Sequence, residues 1–282
     1  PCGTLFPYTT LFRSPDGDGR DIPGLQTLLR GWAEDNPDTL EQFGWIVGFG
    51  YDDSQLAEQR HPTRQELDAV STDYPVVIIH QSGHLGVGNS KALALAGITA
   101  ESDNPPGGVI RRQAGSREPN GVLEETGFFQ LLLPFMGGLE AGLHDSLVVA
   151  GTRFAASYGY TTVQEGRAMQ MGLDAMRRVA ERGELEVDLV AYPDILAVED
   201  ITPSLRYEHR YRVGGVKLTI DGSPQGKTAY LGEPYFRPPH GLPAEYRGYG
   251  AIDEATAMAS VEKAFANGWQ ILCHANGDAA ID

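Results

Sequence analysis

The sequence predicts an α/β fold, part of a (β/α)-barrel carrying an inserted α+β segment, on three observations. In the second half an amphipathic helix, a glycine and an apolar strand recur three times. A fourth apolar strand sits between the last two repeats, and strands joined by helical crossovers run parallel in one sheet. Each strand ends in reactive or turn-forming residues: Gln164-Glu165-Gly166, Pro193-Asp194, Asp221-Gly222-Ser223 and His274-Ala275-Asn276-Gly277-Asp278. Barrel active sites are assembled from such strand ends. No glycine-rich dinucleotide fingerprint follows any strand, which argues against a doubly wound sheet.

The elements follow in order. Residues 22–35 have helical periodicity, 45–51 read as a strand, 63–70 as a short helix, 75–80 as a buried strand and 89–96 as a helix. Residues 107–122, broken by Gly-Gly and Pro-Asn-Gly, read as a hairpin or loop excursion. This irregular region, 16–143, is expected to be an α+β insertion roofing the barrel mouth. The repeats occupy 144–282. They run from a helix over 144–158 to the strand 160–163, and from a helix over 173–182 to the strand 187–192. After the strand 215–220 comes a helix capped by Asp253, then the strand 269–274.

Composition narrows the function. With 22 basic against 38 acidic residues the net charge is −16, which repels nucleic acid and anionic membranes. No apolar run reaches the length of a bilayer span. The two cysteines, Cys2 and Cys273, give no disulfide framework and fit a reducing, cytoplasmic compartment. Residues 1–15 lack a start methionine and a signal-peptide core and resemble adapter read-through, so they are set aside as non-native. Both ends read as cut. The chain is therefore expected to be an internal fragment that is inactive alone, with exposed sheet edges that invite aggregation.

Lys217 lies mid-strand among apolar residues. By alternation it shares a face with Thr219 and Asp221, opposite Val216, Leu218 and Ile220. It is either half of an internal salt bridge or a lysine of depressed pKa, able to take up carbon dioxide as a metal-bridging carbamate. On the next strand His274 is structural or a ligand, with Cys273 expected to pack behind it in the core. His80 and His84 have the i, i+4 spacing of a helical zinc pair, yet Ser82-Gly83 between them favours a turn. The run 221–225 is a strand-end turn.

Taken together, 45–98, GYTTVQEG at 159–166, GGVKLTIDGSPQGKTAYL at 214–231 and QILCHANGDAAID at 270–282 resemble family 3 of the amidohydrolase superfamily, nearest to N-substituted formamide deformylases. The likeness covers nearly everything from Asp21 onward. It implies a metal-dependent-hydrolase (β/α)8 TIM-type barrel, of which this chain holds strands 2–5, and a two-metal site, usually zinc. Matched motif by motif, Lys217 is the carboxylated strand-4 lysine and His274 the strand-5 histidine. The His-x-His of strand 1 has no counterpart here, and the acid/base aspartate is expected beyond residue 282. The likeness suggests Tyr51, Asp53, His80, Ser82 and His84 as substrate-pocket residues, with simple polar loop packing the alternative, and Asp221 and Gln225 as bordering the pocket.

The implied reaction is hydrolysis of an N-substituted formamide-like amide by a metal-activated hydroxide. Ureas, cyclic amides or N-acyl amino acids are alternative substrates, and a non-catalytic small-molecule-binding barrel is the alternative class. The expected partner is a small-molecule substrate, with homo-oligomerisation left open.

Overall fold

The computed structural model describes residues 9–11, 19–138 and 141–282. The described chain clusters into two compact units. One draws on Pro7–Gly138, Asp221–Ala251 and Asn276–Asp282, the other on Leu139–Ile220 and Ile252–Ala275. Residues 221–251 and 276–282, expected with the barrel repeats, thus group with the N-terminal unit. Of the segment set aside at the start, residues 9–11 form a strand and the remainder lies outside the described residues.

The N-terminal unit is built from β1 (Thr9–Leu11), α1 (Ile22–Asp35), α2 (Pro37–Phe43), β2 (Ile46–Tyr51), α3 (Arg64–Asp68), β3 (Val76–His80), β4 (Leu85–Gly88), α4 (Ser90–Leu95), β5 (Gly108–Arg112), β6 (Pro119–Glu125) and α5 (Thr126–Gly138). Its sheet has the order β1-β2-β3-β4-β6-β5, parallel across β1-β2-β3 and antiparallel beyond. Alternation decides the layers. Ile46, Val76 and Ile78 pack with Leu25 and Leu29 of α1, whereas Val47 and Val77 pack with Leu93 of α4 and Phe128 and Leu131 of α5. Helix α1 starts at Asp21, whose carboxylate accepts from Gly24 N at 2.7 Å. Helix α3 starts at a Thr63–Glu66 capping box.

The second unit comprises α6 (Ala141–Ser157), β7 (Thr162–Ala168), α7 (Gln170–Glu181), β8 (Asp188–Pro193), β9 (Tyr211–Val213), β10 (Val216–Thr219), α8 (Glu254–Ala266) and β11 (Ile271–His274). All its strand ladders are parallel: β7-β8-β9 form one sheet, β10-β11 another, and an isolated parallel bridge joins Asp194 to Lys217. Neighbours in space are neighbours in sequence, an order consistent with a barrel segment. One expectation needs correction: the connection from β8 to the expected 215–220 strand is non-helical and carries the short strand β9, whereas that expected strand is β10. Leu173, Met176 and Val179 of α7, Leu189 and Ala191 of β8 and Val216 and Leu218 of β10 form the core. A last short helix, α9 (Asp278–Ile281), belongs to the N-terminal unit. Among the described residues no helix is long and apolar enough to cross a membrane.

Candidate functional site

In the parallel β10–β11 ladder Lys217 pairs with Leu272 and Thr219 with His274. Paired residues of a ladder share a face, as do alternate residues of a strand. Lys217, Thr219 and His274 therefore lie on one face, with the wholly buried Val216 and Leu218 on the other. Lys217 makes no ion pair among the described residues. The nearby carboxylate of Asp194 is engaged instead by Arg167, Nε to Oδ2 at 2.8 Å, so the salt-bridge alternative is not realised. Burial, followed by the charge of Arg167, lowers the Lys217 pKa from the ordinary lysine value. The Thr219 hydroxyl is buried without a hydrogen-bond partner. An amine driven toward its neutral form, an imidazole and an orphaned hydroxyl on one face are a donor set that fits a divalent cation. Cys273, expected in the core, is exposed; it sits on β11, the edge of a two-stranded sheet.

The N-terminal unit holds a second polar cluster. Strands β2 and β3 run parallel with Tyr51 opposite His80, so both strand ends deliver their residues to one place. Tyr51 is buried, its hydroxyl 3.0 Å from Nδ1 of His61, and its ring meets that of His80 edge-on at 5.4 Å. His80 is fully buried, with Nδ1 2.9 Å from Ser82 Oγ. Its Nε2 lies 3.5 Å from Asp53 Oδ1 and 3.8 Å from Asp52 Oδ1 and has no hydrogen-bond partner. Asp52 is braced by Ser54, Gln55 and Gln81. Burial alone would raise its carboxyl, but His80, Ser54 and Gln55 hold it well below the carboxylate range. Asp53 follows the same pattern, burial being outweighed by His80 and His61. Burial pushes His61 down to about 4, which keeps it neutral. Burial opposes charge on His80, yet the two carboxylates raise its pKa overall.

His84 turns elsewhere. The β3–β4 turn separates it from His80, and its Nδ1 lies 2.9 Å from Glu125 Oε2, so the two histidines are not a helical chelating pair. Glu125 is buried and also accepts from Thr228 Oγ1 at 2.6 Å, which brings the 223–228 turn alongside. Gln225 is exposed on that turn, within reach of Ser223 Oγ at 3.3 Å. Asp221, expected to border the pocket, makes its contacts to backbone. It is wholly buried, its oxygens accepting backbone N–H groups of Asn276 at 2.8 Å, Gly277 at 2.8 Å and Tyr230 at 2.9 Å. Those amides make it an anchor. Sequence reasoning missed Asp52, His61, Glu124 and Glu125. The one signal for the last two was an adjacent acid pair closing an apolar strand. Glu124 is held by Arg111 at 2.6 Å and Tyr249 at 2.9 Å.

A cleft of about 720 Å³ lies between α6 and the 183–186 loop that precedes β8, and is lined by Ser146, Val149, Arg153 and Glu186 among others. None of the candidate site residues named above lines it.

Comparison with known proteins defines the class. A model described as "Amidohydrolase family" matches residues 2–282, and the chain belongs to that family. It is 26% identical over 256 residues to the putative amidohydrolase YtcJ of Bacillus subtilis, covering 89% of this chain and 47% of that one. To the protein LONG AFTER FAR-RED 3 of Arabidopsis thaliana it is 25% identical over 266 residues, covering 89% and 44%. A shorter match, 44% identical over 81 residues, covers 29% of this chain and 15% of the N-substituted formamide deformylase of Arthrobacter pascens. In fold it is similar to a metal-dependent hydrolase from Pyrococcus horikoshii OT3, with a TM-score of 0.65 at 24% identity over 99% of this chain and 52% of that one. The chain spans about half the length of the longest-matching curated relatives.

Proposed function

We propose that the protein to which this chain belongs is a metal-dependent hydrolase of non-peptide carbon–nitrogen bonds, built on a (β/α)8 barrel and acting on an N-substituted formamide or a similar small amide. The observation that carries this reading is the shared face of Lys217, Thr219 and His274 on adjacent parallel strands. Lys217 and His274 hold the cation. Zinc fits an imidazole and an oxygen-donating carbamate. The carbamate forms when the neutral Lys217 amine adds to carbon dioxide, making one N–C bond and releasing one proton; the partial burial of Lys217 favours that neutral form. A divalent ion bound there supplies an activated water nucleophile and polarisation of the scissile carbonyl. Thr219 offers its hydroxyl as a hydrogen-bonding group beside His274 and fixes groups brought to that face. The short, strong match to the Arthrobacter deformylase supports a formamide substrate over ureas or cyclic amides.

In the full-length protein, Lys217→Ala is expected to lower the metal content and abolish formate release, read by elemental analysis and by a formate assay on a panel of N-substituted formamides, ureas and N-acyl amino acids. Unchanged metal content rejects the role of Lys217. Amine release without formate moves the substrate to another class.

A further inference from the structure

We infer that Asp52, Asp53 and His80, all within the N-terminal unit, form a divalent-cation site that uses neither Lys217 nor His274. The three candidate ligand atoms lie within 4.8 Å of one another. An acidic pair alone would mean little; the decisive atom is His80 Nε2. It is buried, lacks a hydrogen-bond partner and is aimed at both carboxylates. A direct charge-assisted hydrogen bond would close to about 2.7–2.9 Å. The observed 3.5 and 3.8 Å are too long for that, but they suit two ligands of one ion, since donors bound tetrahedrally at about 2.1 Å stand roughly 3.4 Å apart.

The surroundings are those of a supported site. Nδ1 of His80 accepts from the Ser82 backbone N–H at 3.2 Å and lies 2.9 Å from the Ser82 hydroxyl, so an ion bound at Nε2 displaces the ring proton from that nitrogen, and the Ser82 hydroxyl is placed to accept it at Nδ1. Ser54, Gln55 and Gln81 fix the Asp52 carboxylate. Two carboxylates and a neutral imidazole balance a divalent charge, and one nitrogen with two oxygens suits zinc or cobalt better than calcium. Such an ion would tie the end of β2 to the end of β3, a structural role. Lys227 also lends positive charge to Asp53, so the test must show the ion itself.

The test uses this 282-residue chain carrying Lys217→Ala and His274→Ala, so that the pair assigned above cannot hold metal. After chelator treatment and gel filtration, Co²⁺ is added and followed by visible ligand-field absorption and elemental analysis. About one equivalent is expected to remain. Asp53→Asn or His80→Gln should each weaken it at least tenfold, the lower end of what even an outer-shell loss costs. No bound cobalt in the doubly substituted chain overturns the proposal, as does binding that survives both further substitutions. Circular dichroism checks that each variant is folded. Should one unfold, a cobalt-shifted imidazole proton resonance in the parent decides instead, and its absence overturns the site. Loss of metal on Lys217→Ala alone bears only on the other centre, so the two readings fail separately.

Discussion

Glu125 shows how one residue's backbone shapes a site. It closes β6 with φ at +50°, a left-handed conformation that costs a residue with a β-carbon about 1 kcal/mol or more. That twist lets Glu125 bury its carboxylate against His84 and Thr228 while its neighbour Glu124 meets Arg111 and Tyr249. Gly222 is the other half of the arrangement, because a β-carbon there would strike Glu125 Oε1 and Thr228 Oγ1. Both groups are hydrogen-bonded and cannot simply swing aside. Gly222→Ala is therefore expected to destabilise by about 1–3 kcal/mol, measured by denaturant unfolding; a change under about 0.5 kcal/mol would mean the turn relaxes freely. The packing is not legible in the sequence, where Gly222 reads only as a turn and the Glu-Glu pair only as two acids closing an apolar strand. Lys217 was legible because an amine inside an apolar strand breaks the local pattern. Asp52 and His61 were not, since acids and histidines in polar loops break nothing.

At the level of elements, helices α6 and α7 are joined by one buried carboxylate. Asp145 of α6 accepts from Arg178 of α7 at 2.7 Å and from Arg182, just past its end, at 2.8 Å. The hydrogen bond from Arg178 leads in depressing its pKa, with burial opposing and Arg182 assisting. A depressed carboxyl pKa means stabilisation that is full above the unfolded value, about 3.9, and lost as pH falls through the folded one. The thermal midpoint of the wild type should thus exceed that of Asp145→Asn at pH 7, and the gap should close below about pH 4. A gap that does not vary with pH would assign the effect to packing. Helices of this kind were readable in advance: α1 and α7 have clear apolar stripes, and Asp253 caps α8 as expected. Strand β4 and helix α5 were not. Leu-Gly-Val-Gly looks like a linker, yet Gly86 is small because the Phe128 ring occupies the place of its side chain. In α5 an internal Pro134 hides the helix. The β9 strand escaped notice because three residues carry too little periodicity to detect.

For the whole molecule the question is whether local ion pairs or net charge governs the response to salt. Arg60–Glu66, Arg111–Glu124 and Arg178–Asp145 are attractive and weaken when screened, but exposed pairs contribute only about 0–1 kcal/mol each. Against them stands a net charge of −16, which repels itself over the full breadth of a folded chain when the screening length is about 30 Å, at 0.01 M salt, and far less when it is about 8 Å, at 0.15 M. Long-range repulsion is relieved more than short contacts are lost, because the buried pairs are largely shielded from solvent ions. The thermal midpoint should therefore rise between those two salt concentrations. Two units with separate cores need not melt together, so calorimetry should follow each transition. A midpoint that falls with salt in either transition would show that in that unit the ion pairs outweigh the field.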